Sequence, residues 1–176
     1  MYRNSIVYIC AAISLILCGA IFGFFYAYSA SVMRGLDYVE PTVAIPAMQG
    51  INATVRNAVF APAFFGTPIA LFLSGLLAFA VRRRASAGLF LMAAIVYVGG
   101  AFLPTLFVNV PMNEALAAIT PPSDPLEAER IWRDYSGPWQ VWNHVRSVFS
   151  GFALLIAGAG IWYLRAGSKI AWRPAS

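Results

Sequence analysis

No charged residue interrupts Ser5 to Met33, Asn57 to Val81, Ala85 to Asn113 or Ser147 to Leu164, runs of 29, 25, 29 and 18 residues. About 20 apolar residues suffice to cross the hydrocarbon core of a bilayer as a helix. Lipid offers backbone N–H and C=O groups no partners, so a spanning segment must bond its own, and a helix does so within one run. The chain therefore reads as all-α: a polytopic membrane protein whose single domain, residues 1–176, is a four-transmembrane-helix bundle. The helices are expected near 5–33, 47–81, 85–110 and 138–165, with an extracytoplasmic loop over 109–138. A soluble fold is excluded by composition, since 60% hydrophobic and 11% charged residues would expose too much apolar surface.

The charges between the runs are unevenly shared. All seven acids (Asp37, Glu40, Glu114, Asp124, Glu127, Glu129, Asp134) fall in two intervals, together with five basic residues. The other interval, Arg82-Arg83-Arg84, and the two ends (Arg3; Arg165, Lys169, Arg173) carry basic residues only. Excess Arg and Lys marks the cytoplasmic side. The expected protein is a multi-pass inner (plasma) membrane protein with both termini cytoplasmic and the acid-bearing loops outside. The net charge of +5 is what this split leaves over and implies no nucleic-acid partner. The partners implied are the lipid bilayer and a hydrophobic aromatic small molecule or a lipid.

Local signals refine the spans. Residues 1–30 read as a retained first helix, because the apolar stretch is too long for a signal peptide. Cys10 and Cys18 lie about 12 Å apart in rise along that helix, too far for a disulfide, and read as packing residues. Gly19 and Gly23 form a small-xxx-small pair that predicts a close helix approach. Pro62 and Pro68 are expected to kink the second helix, and Gly99-Gly100 with Pro104 to bend the third. Asp124-Pro125-Leu126-Glu127 has the residues of a helix start. The short loop helix it opens is expected to end at Gly137-Pro138, where the last helix begins. Trp132, Trp162 and Trp172 read as interfacial anchors.

Two segments are more polar than anchoring requires. At about 100° per residue, Gln49, Asn52 and Arg56 form a stripe that Phe60 continues, and Trp139, Asn143, Arg146 and Ser150 share a second. Asn109 and Asn113 are four apart and face alike if the third helix runs on past Pro111. Such groups near a membrane are unfavourable unless they are paired or line a cavity. The pattern therefore predicts either a polar pocket at the outer mouth or a hydrogen-bond network that only fixes the bundle. His144, the one histidine, suits a general base near neutral pH but points about 140° away from the Arg146 stripe. A plain interfacial role fits it equally. A mixed metal site pairing it with Glu114 or Asp134 has no spacing signature, and no other cofactor is expected. No nucleophile elbow, phosphate loop, paired carboxylates or dinucleotide fingerprint is present.

Met48-Gln49-Gly50-Ile51-Asn52, Asn109-Val110-Pro111-Met112-Asn113-Glu114-Ala115-Leu116, and Trp132-Arg133-Asp134-Tyr135 with Trp139-Gln140-Val141-Trp142-Asn143-His144-Val145-Arg146 resemble the anthrone-oxygenase-like family. Its members are small four-helix membrane proteins, and those named for an activity oxidise the central ring carbon of anthrones to anthraquinones. The resemblance implies a monooxygenase-type oxidoreductase with dioxygen as co-substrate, acting without a cofactor on a planar phenolic or quinonoid hydrophobe. In that scheme His144, Arg146 and Asn143 are the catalytic candidates. Gln49, Asn52, Arg56, Asn113, Trp139 and Trp142 are the substrate-binding candidates. The competing reading is a non-enzymatic membrane module that binds a lipid or quinone, or supports a partner complex.

Overall fold

A computed structural model describes residues 2–169. Trp172 and Arg173 lie outside the described residues, and so do the side chains of Arg3 and Lys169. Among the described residues, four helices are long and apolar enough to cross a membrane: Ser5–Tyr38, Phe60–Ala80, Arg84–Ala117 and Pro125–Arg165. The first comprises α1 (Tyr2–Ala27), a π-helical turn at Tyr28–Val32 and α2 (Met33–Tyr38). A separate helix, α3 (Pro41–Thr54), precedes α4 (Phe60–Ala80). The third span is α5 (Arg84–Tyr97), π-helical turns at Val98–Phe102 and Thr105–Asn109, and α6 (Val110–Ala117). The last is α7 (Pro125–Lys169).

Each spanning helix packs on two others, in the closed order α1–α4–α5–α7. Between them lies an apolar core that includes Ile21, Phe25, Phe64, Leu71, Phe90 and Tyr97. The outer faces are apolar too: Ile9, Ile16, Ile69, Phe79, Ile95 and Leu155 are all exposed. Such surface suits lipid and would associate in water. A second apolar cluster, with Met33, Ile45, Met48, Leu116 and Trp132 at its centre, closes the acid-bearing end.

Three departures from the sequence reading have clear causes. The expected helix 47–81 is two helices, and Asn57 divides them. Its Nδ2 donates to the Thr54 carbonyl (2.8 Å), finishing α3, while its Oδ1 accepts from the backbone N–H of Val59 (2.8 Å) and Phe60 (3.0 Å), starting α4. The break thus lies upstream of Pro62 and Pro68. Conversely, α7 runs unbroken through Gly137-Pro138, so the loop helix and the last span are one rod. Asp37 bridges the proline: it accepts from Trp132 Nε1 (2.9 Å) and Ser136 Oγ (2.7 Å) before it and from Gln140 Nε2 (2.8 Å) after it. Trp132 is therefore buried as a donor to Asp37, whereas Trp162 is exposed on the bundle surface. Finally, the third helix continues past Pro104 and Pro111 to Ala117, absorbing the irregularity in its two π-helical turns.

Close helix approaches also fall elsewhere than expected. A Cβ at Gly19 or Gly23 would meet nothing within 4 Å, but at Gly100 it would overlap the Phe149 side chain and at Gly160 it would lie 3.1 Å from the Phe90 ring. Cys18 packs in the core, and Cys10 accepts from Ser74 Oγ at 3.2 Å; both thiols are free.

Candidate functional site: a buried arginine in an aromatic cavity

A cavity of about 570 Å³ opens where the α3–α4 break meets the π-helical part of the third span and the middle of α7. That volume suits a small organic ligand. Its wall is a chain of rings. Trp139 packs on Tyr28 (centroids 5.4 Å apart), Tyr28 on Phe24 (5.1 Å), Phe24 on Phe60 (4.8 Å), and Phe60 stacks on Phe64 at 5.3 Å and 17°. The α3–α4 break is what brings Val55 to Ala58 to the rim beside these rings.

Arg146 is the centre of the polar part. It is 4% exposed, so its guanidinium is held away from water. Nη1 donates to Thr105 Oγ1 at 3.3 Å and Nη2 to Asn143 Oδ1 at 3.0 Å. Its Cζ lies 4.6 Å from the Phe25 ring centroid and 4.9 Å from that of Trp139. These contacts supply hydrogen bonds and cation–π attraction, but none supplies a negative charge. The ion pair found among the described residues is Arg56 Nη2 with Glu114 Oε1 at 3.1 Å, and Arg146 Nε has no hydrogen-bond partner. A buried charge lacking a counter-charge is strongly unfavourable.

The sequence-derived candidates separate into two sets. Arg146, Asn52, Arg56, Asn113 and Trp139 line the cavity, as does Phe60. Asn113 Oδ1 ties the lining together by accepting from Tyr135 OH and Trp139 Nε1, both at 2.8 Å, and Asn52 Nδ2 donates to Tyr135 OH at 3.3 Å. The remaining candidates lie outside the lining. Asn143 is buried behind Arg146, donating to the Phe25 carbonyl (3.0 Å) and Ser29 Oγ (2.8 Å). Gln49 Nε2 donates to the carbonyls of Leu116 and Ile119, both at 2.8 Å, which fastens α3 to the end of α6. Trp142 and His144 are exposed. Among the described residues no three His, Cys, Asp or Glu side chains gather as a metal site.

Several lining residues carried no assignment from sequence. Phe25 and Tyr28 look like ordinary residues of an apolar run. Thr105 is a lone hydroxyl after Pro104, and only the π-helical turn directs it to Arg146. Asn109 belonged to the polar constellation by spacing, and the structure buries it in the cavity wall.

Fold and site together define a four-helix, multi-pass membrane protein built around a buried arginine in an aromatic cavity. A sequence model of the anthrone oxygenase family matches residues 56–156, and the chain belongs to that family. The match takes in the Asn109–Leu116 and Trp132–Arg146 segments and begins after Gln49 and Asn52. Searches against curated proteins and against solved structures gave no match.

Proposed function

We propose that the cavity binds a planar phenolic or quinonoid hydrophobe and holds one of its oxygens, as an enolate or phenolate, on Arg146. The observation that carries this reading is the buried guanidinium with no carboxylate partner and a free Nε in an aromatic wall. A ligand oxyanion supplies the missing charge, and flat rings suit the wall.

The family name points to anthrone as substrate and to oxygenation as reaction. An anthrone CH₂ is acidic because its enolate is aromatic. No His, Asp or Glu lines the cavity, and the reading therefore relies on the acidity of the CH₂ itself. Arg146 lowers the energy of the enolate, and the proton leaves to water at the Arg56 rim. The enolate transfers an electron to dioxygen, the resulting radical and superoxide join through a C–O bond, and the peroxide anion takes a proton back from water. The hydroperoxide then loses water to leave the carbonyl. Overall, one CH₂ and one O₂ give one C=O and one H₂O. The excess of basic residues supports a cytoplasmic Arg82–Arg84 turn and cytoplasmic termini, with the cavity toward the opposite side.

A second reading, a module that holds a lipid or quinone without chemistry, draws on the absence of a lining acid or imidazole and on the exposure of Phe65 and Leu106 at the wall. Oxygen uptake and anthraquinone absorbance on adding 1,8-dihydroxyanthrone to the detergent-purified protein separate the two. Uptake above the spontaneous rate that Arg146→Gln abolishes supports the oxygenase. Saturable binding without added oxygen uptake supports the module.

A further inference from the structure

Three buried side-chain polar atoms among the described residues lack any hydrogen-bond partner: Ser86 Oγ, Arg146 Nε and Asn109 Oδ1. The last two belong to residues that line the same cavity. One is an obligate donor and the other an obligate acceptor. Asn109 is 1% exposed, and its amide nitrogen is spent on the Trp139 carbonyl at 3.3 Å. That bond fixes which way the amide faces and leaves the oxygen without a protein partner. The two groups are also close in the fold. Arg146 bonds Thr105, one turn before Asn109 on the same helix, and its guanidinium covers the ring of the tryptophan whose carbonyl Asn109 holds.

We infer that Asn109 is a specificity-determining residue, whose Oδ1 accepts a hydrogen bond from a hydroxyl on the same ligand that presents an oxygen to Arg146. The inference rests on the proposed ligand-binding role of the cavity and adds to it a requirement for a donor. A buried unpaired acceptor penalises every ligand that leaves it unpaired, and that penalty makes hydrogen-bonding sites selective. A carboxylate or a fully oxidised, unsubstituted quinone offers acceptors alone and satisfies only Arg146. A ring system carrying both a carbonyl or oxyanion and a separate hydroxyl satisfies both groups. The cavity therefore favours hydroxylated or reduced ring systems over bare quinones.

The test uses a hydroxyl that does not ionise, so that it cannot substitute for the oxyanion on Arg146. Binding of 2-(hydroxymethyl)anthraquinone, its methyl ether and unsubstituted anthraquinone is measured by quenching of tryptophan fluorescence in detergent. The alcohol is expected to bind the wild-type protein at least about 10-fold more tightly than either comparator. Asn109→Leu should bring that ratio to within about 2-fold, and Asn109→Ser, which lacks the amide oxygen, serves if the leucine variant does not fold. Equal affinities in the wild type, or a preference that survives loss of the Asn109 amide, would overturn the assignment while leaving the cavity reading intact. If none of the three compounds bound saturably, this inference would fall, while oxygen uptake and absorbance with 1,8-dihydroxyanthrone would decide the cavity reading separately.

Discussion

Arg146 lays its guanidinium against Trp139, with Cζ 4.9 Å from the ring centroid, while the Trp139 indole N–H is held by Asn113 at 2.8 Å. The cation is thus positioned by a ring that is itself fixed by another residue of the cavity lining. The surrounding groups hold the arginine in place and leave its charge uncompensated.

Position without compensation has a consequence for stability. Removing an unpaired buried charge relieves the cost of holding it away from water, which outweighs the ~1–3 kcal/mol for the Asn143 Oδ1 acceptor it leaves behind. Arg146→Met is therefore expected to keep or raise the melting temperature in detergent while removing binding of anionic ring ligands. Arg146→Lys should also weaken binding, because ammonium cannot keep the bonds to Thr105 and Asn143 and still offer a planar N–H to the ligand. Parallel loss of stability and binding in Arg146→Met would mean that the arginine serves the fold.

Asn113 should behave in the opposite way. Its Oδ1 accepts from both Tyr135 and Trp139, so Asn113→Leu strands two largely buried donors. At about 1–3 kcal/mol for each, the expected loss of stability is ~2–6 kcal/mol. Asn113→Asp keeps the acceptor and should recover most of it. Denaturation in mixed micelles measures both, and an undiminished Asn113→Leu would show that water or lipid readily replaces the amide.

His144 is exposed and lies outside the cavity lining. His144→Gln is accordingly expected to leave turnover and its pH profile within about 2-fold of wild type, whereas loss of a general base lowers rates roughly 100-fold or more. Steady-state rates across pH decide between them.

Orientation can be read with reporters. A fusion after Ser176 or within Arg82–Arg84 should remain cytoplasmic, and one near Ser123 should be exported. An exported reporter at Ser176 would turn the cavity toward the cytoplasm.

What was legible in the sequence followed from long-range averages. Four uncharged runs announced four spans, and helical spacing placed Asn52, Arg56, Trp139 and Arg146 toward a common pocket. The features it concealed depend on single contacts. Asn57 looked like the first residue of an apolar run, yet its side chain ends one helix and begins the next. Gly137-Pro138 looked like a stop, yet Asp37 holds α7 together across it. Asn143 and Gln49 share faces with lining residues but spend their amides on neighbouring helices. Periodicity gives the direction of a side chain, whereas its partner is set by which helix lies opposite.

If Arg146 stabilises an oxyanion on a planar ligand, the ligand's own ionisation reports it. A hydroxyanthraquinone changes colour when its phenol loses a proton, so its ionisation can be followed by absorbance while it is bound. Next to an unpaired buried guanidinium the phenol should ionise at a pH lower by about one unit or more than in empty micelles, and Arg146→Gln should abolish the difference. Bound ligand that ionises at the same pH as in micelles, or higher, would show that Arg146 does not hold an oxyanion.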